Sequence, residues 1–99
     1  MISVKPINNA QSLEVRKKKF GLEIELTAIF GLGITTKAKI STRDLKASLE
    51  QPIGEHRDFD GSLRRVVRTG FNHTHLFFKP NSNNDLVVVE TSDLLIAIS

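Results

Sequence analysis

Ninety-nine residues provide for one core and no second one, and 39% hydrophobic with 25% charged residues is a globular composition. Cysteine, tryptophan and tyrosine are absent, which excludes disulfides, thiolate metal ligands and a cysteine nucleophile. The net charge of +3 is uneven: Lys5, Arg16, Lys17, Lys18 and Lys19 face only Glu14 at the start, Arg64, Arg65, Arg68 and Lys79 face no acid in 61–84, and Asp85, Glu90 and Asp93 make 85–99 acidic.

The first nine residues contain Pro6 and Asn8-Asn9, so any strand there is short. No apolar run approaches the roughly 18 residues that span a bilayer, and Met1 to Lys5 do not open a secretory signal. The expectation is a soluble cytoplasmic protein with no membrane partner. Residues 12–19 read either as a short helix or as the basic lead-in to a strand. Leu22, Ile24, Leu26, Ala28 and Phe30 alternate with Glu23, Glu25, Thr27 and Ile29, the pattern of a strand with one wet face. Gly31-Leu-Gly33 breaks that run as a tight turn. Ile34, Thr36, Ala38 and Ile40 then alternate with Thr35, Lys37 and Lys39, completing an antiparallel hairpin.

Ser41 or Thr42 opens a helix. Ser41 can accept a first-turn N–H, Asp44 sits near the positive helix end, and Leu45 and Leu49 form one stripe. Pro52 and Gly54 end it. Glu55 to Gly61 is charged and reads as a loop. Residues 62–70 fit a second short helix, with Leu63, Val66 and Val67 on one face and Arg64, Arg65 and Arg68 on the other. Val66-Val67 also allows a strand. His73 to Lys79 is a strand, Pro80 to Asn84 a loop, and Asp85 to Thr91 the clearest strand of all. Its alternation puts Leu86, Val88 and Glu90 on one face and Val87, Val89 and Thr91 on the other. Leu94 to Ile98 reads as a last short strand. The expected fold is α+β: an antiparallel sheet with one or two short helices on one face, as a single domain over 1–99. No internal repeat is evident.

Several groups could carry chemistry. His56, between Glu55, Asp58 and Asp60, is the candidate acid–base residue, or part of a solvated loop. His73 and His75 share a strand face, a spacing that lets both reach one metal ion if a third ligand is supplied. No cofactor is assigned. Arg64, Arg65 and Arg68, with Lys17 and Lys18 if the fold brings them alongside, form a candidate nucleic-acid grip.

Three segments carry a family resemblance: Ile40-Ser-Thr-Arg-Asp-Leu-Lys46, Glu55-His-Arg-Asp-Phe59 and Val87-Val-Val-Glu-Thr91. Together they resemble the 6-pyruvoyl- and 6-carboxy-tetrahydropterin synthases, small enzymes of the T-fold. The resemblance spans 22–99 loosely. It implies a T-fold-like sheet that joins edge to edge into homo-oligomers, a loop histidine at His56, and a ligand-binding pair, Glu90 and Thr91. The Glu90 carboxylate would accept the adjacent N–H and NH₂ of a pterin or purine edge. The family's zinc histidines have no counterpart, because no histidine precedes His56, and its catalytic cysteine is missing. The expectation is a non-zinc, degenerate relative that binds a pterin or purine-like molecule or serves as an oligomeric scaffold, with enzymatic activity left open. The second expectation is a small basic nucleic-acid-binding module.

Overall fold

A computed structural model describes residues 1–79 and 86–99. The loop expected at Pro80–Asn84 lies outside the described residues. The elements are β1 (Ile2–Val4), β2 (Ser12–Lys18), β3 (Glu23–Ile29), β4 (Thr35–Ser41), α1 (Thr42–Leu49), β5 (His56–Asp58), β6 (Leu63–Gly70), β7 (His73–Phe78), β8 (Leu86–Glu90) and α2 (Thr91–Ile98). They form two four-stranded antiparallel sheets, β1-β2-β3-β4 and β5-β6-β7-β8, each a simple meander. The fold class is α+β, as expected, but the strands form two sheets where one was expected. None of the described helices is long and apolar enough to cross a membrane.

The alternation read from the sequence sets the faces. Ile24, Leu26 and Ala28 are buried from β3, Phe30 just past its end, and Ala38 and Ile40 from β4. Val87 and Val89 are buried from β8, while Glu90 is exposed. Leu45 and Leu49 of α1 and Leu94, Ala97 and Ile98 of α2 join the same apolar cluster as both sheets. The Ser41 Oγ accepts the Asp44 N–H at 3.1 Å and caps α1, as its position suggested.

Two readings need correction, and two left open are decided. The segment 55–61 contains β5, not loop alone. Of the two readings of 12–19, strand holds for 12–18. Of the helix and the strand that 62–70 allowed, the strand forms, as β6. The register slips by one residue between Leu63 and Arg65, so a bulge places Leu63 and Val66 on the core side three positions apart. That spacing imitates a helical stripe. Conversely, 94–98 is helical: Leu94, Ala97 and Ile98 are buried at i, i+3 and i+4.

The chain also contains a repeat that the sequence reading missed. Four meandering strands and a helix occur twice in succession. Each helix opens on the same pattern, Ile40-Ser-Thr42-Arg-Asp44-Leu45 and Val89-Glu-Thr91-Ser-Asp93-Leu94. Each opening threonine donates its backbone N–H to the turn of its own central hairpin: Thr42 to the Leu22 carbonyl at 3.0 Å, Thr91 to the Asn72 carbonyl at 3.1 Å. The helix ends match as well. Lys17 Nζ donates to the Ser99 carbonyl at the end of α2, and Arg68 Nη1 donates to the Gln51 carbonyl just past α1, at 3.0 Å. Cations at a helix C-terminus complement its dipole. These contacts make the two helices antiparallel, and they put the β2–β3 and β6–β7 turns at opposite ends of the molecule.

One sheet edge is closed by the other half. Ile7 donates its N–H to the Val88 carbonyl at 2.8 Å, and the Asn8 side chain brackets the Leu86 carbonyl at 2.7 Å and the Val88 N–H at 3.1 Å. The outer edge of β8 therefore has its backbone groups satisfied and offers no template for pairing there.

Candidate functional site

The side chains with chemical potential gather on the outer face of the second sheet. Register fixes their rows. Asp58 pairs with Arg65, which pairs with Phe77, which pairs with Leu86. His56, Val67, His75 and Val88 form the next row, and His73 opposite Glu90 the last. Three flat rings, His73, His75 and Phe77, thus stand along β7 at every second position. The His75 and Phe77 ring centroids are 6.2 Å apart. The bulge in β6 turns Arg64 as well as Arg65 onto this face. The Arg64 guanidinium lies over the Phe77 ring at 5.4 Å, a cation–π contact. Its Nε is buried and has no hydrogen-bond partner among the described residues.

The electrostatics divide the charges on this face. Arg65 holds Asp58 through two bonds, Nε to Oδ1 at 2.6 Å and Nη2 to Oδ2 at 3.2 Å. That bond holds the Asp58 carboxyl below its ordinary range, with His56 and Arg64 adding to the effect. Arg65 is therefore engaged by its partner, and Arg64 makes no ion pair among the described residues. His75 is pushed below the ordinary imidazole value of 6.5, first by burial and then by the neighbouring His73. It presents a neutral ring at neutral pH.

That shift has a measurable consequence. An unfolded chain takes up the His75 proton more readily than the folded one. The His75 contribution to stability is intact above pH 6.5 and is lost as pH falls from there through the depressed folded value. Asp58 adds a loss of the same sign at lower pH, beginning below 3.8. Denaturant unfolding at stepped pH is expected to show stability decline as pH falls below 6.5. His75→Phe is expected to remove that part of the decline.

The other residues singled out by sequence are placed as follows. His56 is exposed on the short edge strand β5, and no hydrogen bond joins it to a carboxylate among the described residues, so an oriented acid–base pair is not formed. His73 and His75 do share a face. Among the described residues, however, no group of three His, Cys, Asp or Glu is placed to hold a metal ion. Arg68 turns away to the Gln51 and Phe71 carbonyls, at 3.0 and 2.7 Å. Lys17 and Lys18 belong to the other sheet. Lys18 pairs with Glu25 at 3.1 Å, and this holds the Glu25 carboxyl below its ordinary value. The helical face Arg64, Arg65, Arg68 therefore does not exist, and the two basic runs are not side by side.

Glu90 and Thr91 have opposite surroundings. Glu90 is exposed, and it does not cap α2 with its side chain. Asn72 does so instead, its Oδ1 accepting the Ser92 N–H at 2.8 Å. Thr91 is buried, its hydroxyl 2.7 Å from that of Thr74. Removing one hydroxyl strands the other in the core, which costs about 1–3 kcal/mol. Thr74→Val and Thr91→Val are each expected to lose about 2 kcal/mol in urea unfolding. The double variant is expected to recover part of that loss, because no orphan hydroxyl remains.

The first sheet carries a shallow hollow of about 230 Å³ on its outer face, lined by Met1, Glu14, Arg16, Glu25, Thr27 and Lys37. Two cations and two carboxylates offset one another there. No family model, curated protein or solved structure matches the chain.

Proposed function

We propose that the protein is a binding module for single-stranded nucleic acid, and that the outer face of the β5–β8 sheet is its binding surface. The observation that carries this reading is the row His73, His75, Phe77 at alternate positions of one strand, with the Arg64 guanidinium stacked on the end ring. Alternate residues of a strand lie about 6.5–7 Å apart. Bases of an extended single strand stack on such rings without regard to sequence, and each stack is worth about 1–3 kcal/mol. Arg64 supplies the phosphate contact.

The charge distribution sets the character of the binding. With Arg65 engaged by Asp58, only one or two phosphates are neutralised. The plot of log affinity against log salt then has a slope of about −1, far shallower than that of a protein with many phosphate contacts. Stacking dominates. A fluorescence anisotropy titration of a mixed-sequence single strand at 50 and 200 mM salt tests this reading. Modest affinity with a shallow slope supports it. No binding at 50 mM salt contradicts it.

A second reading keeps the kinship with the pterin synthases and a T-fold-like relation. It is favoured by one observation: Asn72, not Glu90, caps α2, so the Glu90 carboxylate is spared for a ligand. On this reading Glu90 accepts a pterin or guanine edge beside His73. Such binding is insensitive to salt, is measured with free pterin or guanosine, and is abolished by Glu90→Gln. Homo-oligomer formation belongs to the same reading.

A further inference from the structure

The hollow on the outer face of the first sheet has its cause in the strand register. Glu14 pairs with Thr27, and Thr27 pairs with Lys37. Arg16 pairs with Glu25 in the next row. Directly paired residues share a face, and so do alternate residues of one strand, such as Glu25 and Thr27. A short threonine is therefore bordered by four long side chains, and the space above it is the hollow of about 230 Å³. That volume lies below the roughly 300–1,000 Å³ of sites for drug-sized ligands, so it suits a molecule of a few heavy atoms. Met1 adds an apolar residue to the lining.

The charges around Thr27 differ in what already holds them. Glu25 is only 9% exposed and is engaged by Lys18 at 3.1 Å. Glu14, Arg16 and Lys37 make no ion pair among the described residues. Glu14 and Lys37 stand on the two strands that flank β3, so their backbones are two strand spacings apart, about 9.5 Å. They do not close on each other across the threonine. A lone anion in the hollow is drawn to Arg16 and Lys37 but repelled by Glu14, and a lone cation meets the reverse. A molecule with both charges is attracted at each end. An α-amino acid holds its ammonium and carboxylate on one carbon, and with a charge-assisted hydrogen bond of about 2.8 Å at either side it spans most of the gap.

We propose that this hollow binds a small free α-amino acid in its zwitterionic form. Glu14 accepts from the ammonium group, and Arg16 and Lys37 donate to the carboxylate. The Thr27 hydroxyl, on the floor, can donate or accept one further bond. The site lies on the sheet opposite to the ring row, and it does not depend on nucleic-acid binding. Ionic contacts open to solvent are individually weak, so the dissociation constant is expected to be on the order of 1 mM.

An amide chemical-shift titration of the full chain with L-alanine tests the proposal. The expected shifts saturate, centre on Glu14, Arg16, Thr27 and Lys37, and leave β5 to β8 unmoved. Propionate and ethylammonium each carry one half of the zwitterion, and each is expected to bind at least tenfold more weakly. Glu14→Gln is expected to weaken L-alanine binding about tenfold and to leave propionate binding unchanged or tighter. Lys37→Gln is expected to weaken both. Both side chains lie on the outer face, away from the core, and an unchanged melting midpoint checks that each variant keeps the fold. A response that stays linear up to 100 mM L-alanine overturns the proposal. So does propionate binding as tight as that of L-alanine, which marks a plain cationic patch, or a Glu14→Gln variant that binds L-alanine as the parent does.

Discussion

Leu45→Ala and Leu94→Ala are each expected to lower the unfolding free energy by about 3 kcal/mol, and by similar amounts. Both side chains are fully buried, and each is the first large apolar residue of its helix, at matching places in the two halves. Truncation removes transfer energy and leaves a cavity that surrounding strands fill only in part, which for leucine costs about 2–5 kcal/mol. For a domain of this size each kcal/mol moves the melting midpoint by roughly 4–8 °C, so a fall of roughly 12–24 °C is expected in thermal unfolding. The pair discriminates between two structures of the C-terminal segment. If residues 94–98 formed an edge strand, as the apolar run suggests, Leu94→Ala would cost far less than Leu45→Ala. Equal losses follow from α2 packing against both sheets and α1 as its counterpart does.

Phe77→Ala is expected to weaken single-strand binding by about 5- to 150-fold, the range of about 1–3 kcal/mol for loss of one base stack. On the proposed reading Phe77 would offer a ring to a base, and in the structure it seats the Arg64 guanidinium. Phe77→Leu separates them from bulk packing, because leucine fills the half-buried site and loses only the ring face. It is expected to lose nearly as much affinity as alanine while the melting midpoint stays closer to the parent's. Arg64→Ala is expected to weaken binding less and to flatten the salt dependence, since it removes a phosphate contact and leaves the rings. Loss of affinity confined to Arg64→Ala, with Phe77→Ala neutral, would mean that charge and not stacking holds the strand.

Much of the first half was legible in the sequence, because its signals agree with one another. The alternation from Leu22 to Phe30, the glycine turn, the alternation to Ile40, the Ser41 cap and the Leu45–Leu49 stripe all point to the same hairpin and helix, and the fold contains them. The second half misled for physical reasons. A single bulge residue, Arg64, shifts Leu63 and Val66 into a three-residue spacing and makes a strand read as a helix. In α2, five consecutive apolar residues hide a helical pattern that only burial reveals. The repeat escaped notice because its halves share little beyond Thr-x-Asp-Leu. Two of the three segments that suggested the pterin synthases, Ile40–Lys46 and Val87–Thr91, are equivalent stretches of that repeat. Their likeness to a family motif is thus partly a likeness to each other, each being the way a last strand enters a helix in this fold. The ring row on β7 was visible as a His-x-His pair. Its extension to Phe77 needed the register, and the Arg64 contact needed the bulge.

Chemical-shift mapping is the most direct test of the binding face. Amide spectra of isotope-labelled protein, titrated with an unlabelled mixed-sequence single strand, report every backbone position at once. The expected shifts cluster on Arg64, Arg65, Val67, His73, His75, Phe77 and Val88, with β1 to β4 unmoved. Shifts that gather instead on the outer face of the first sheet or around Lys17 to Phe20, or a spectrum unchanged at saturating strand, would contradict the assignment of the β5–β8 face.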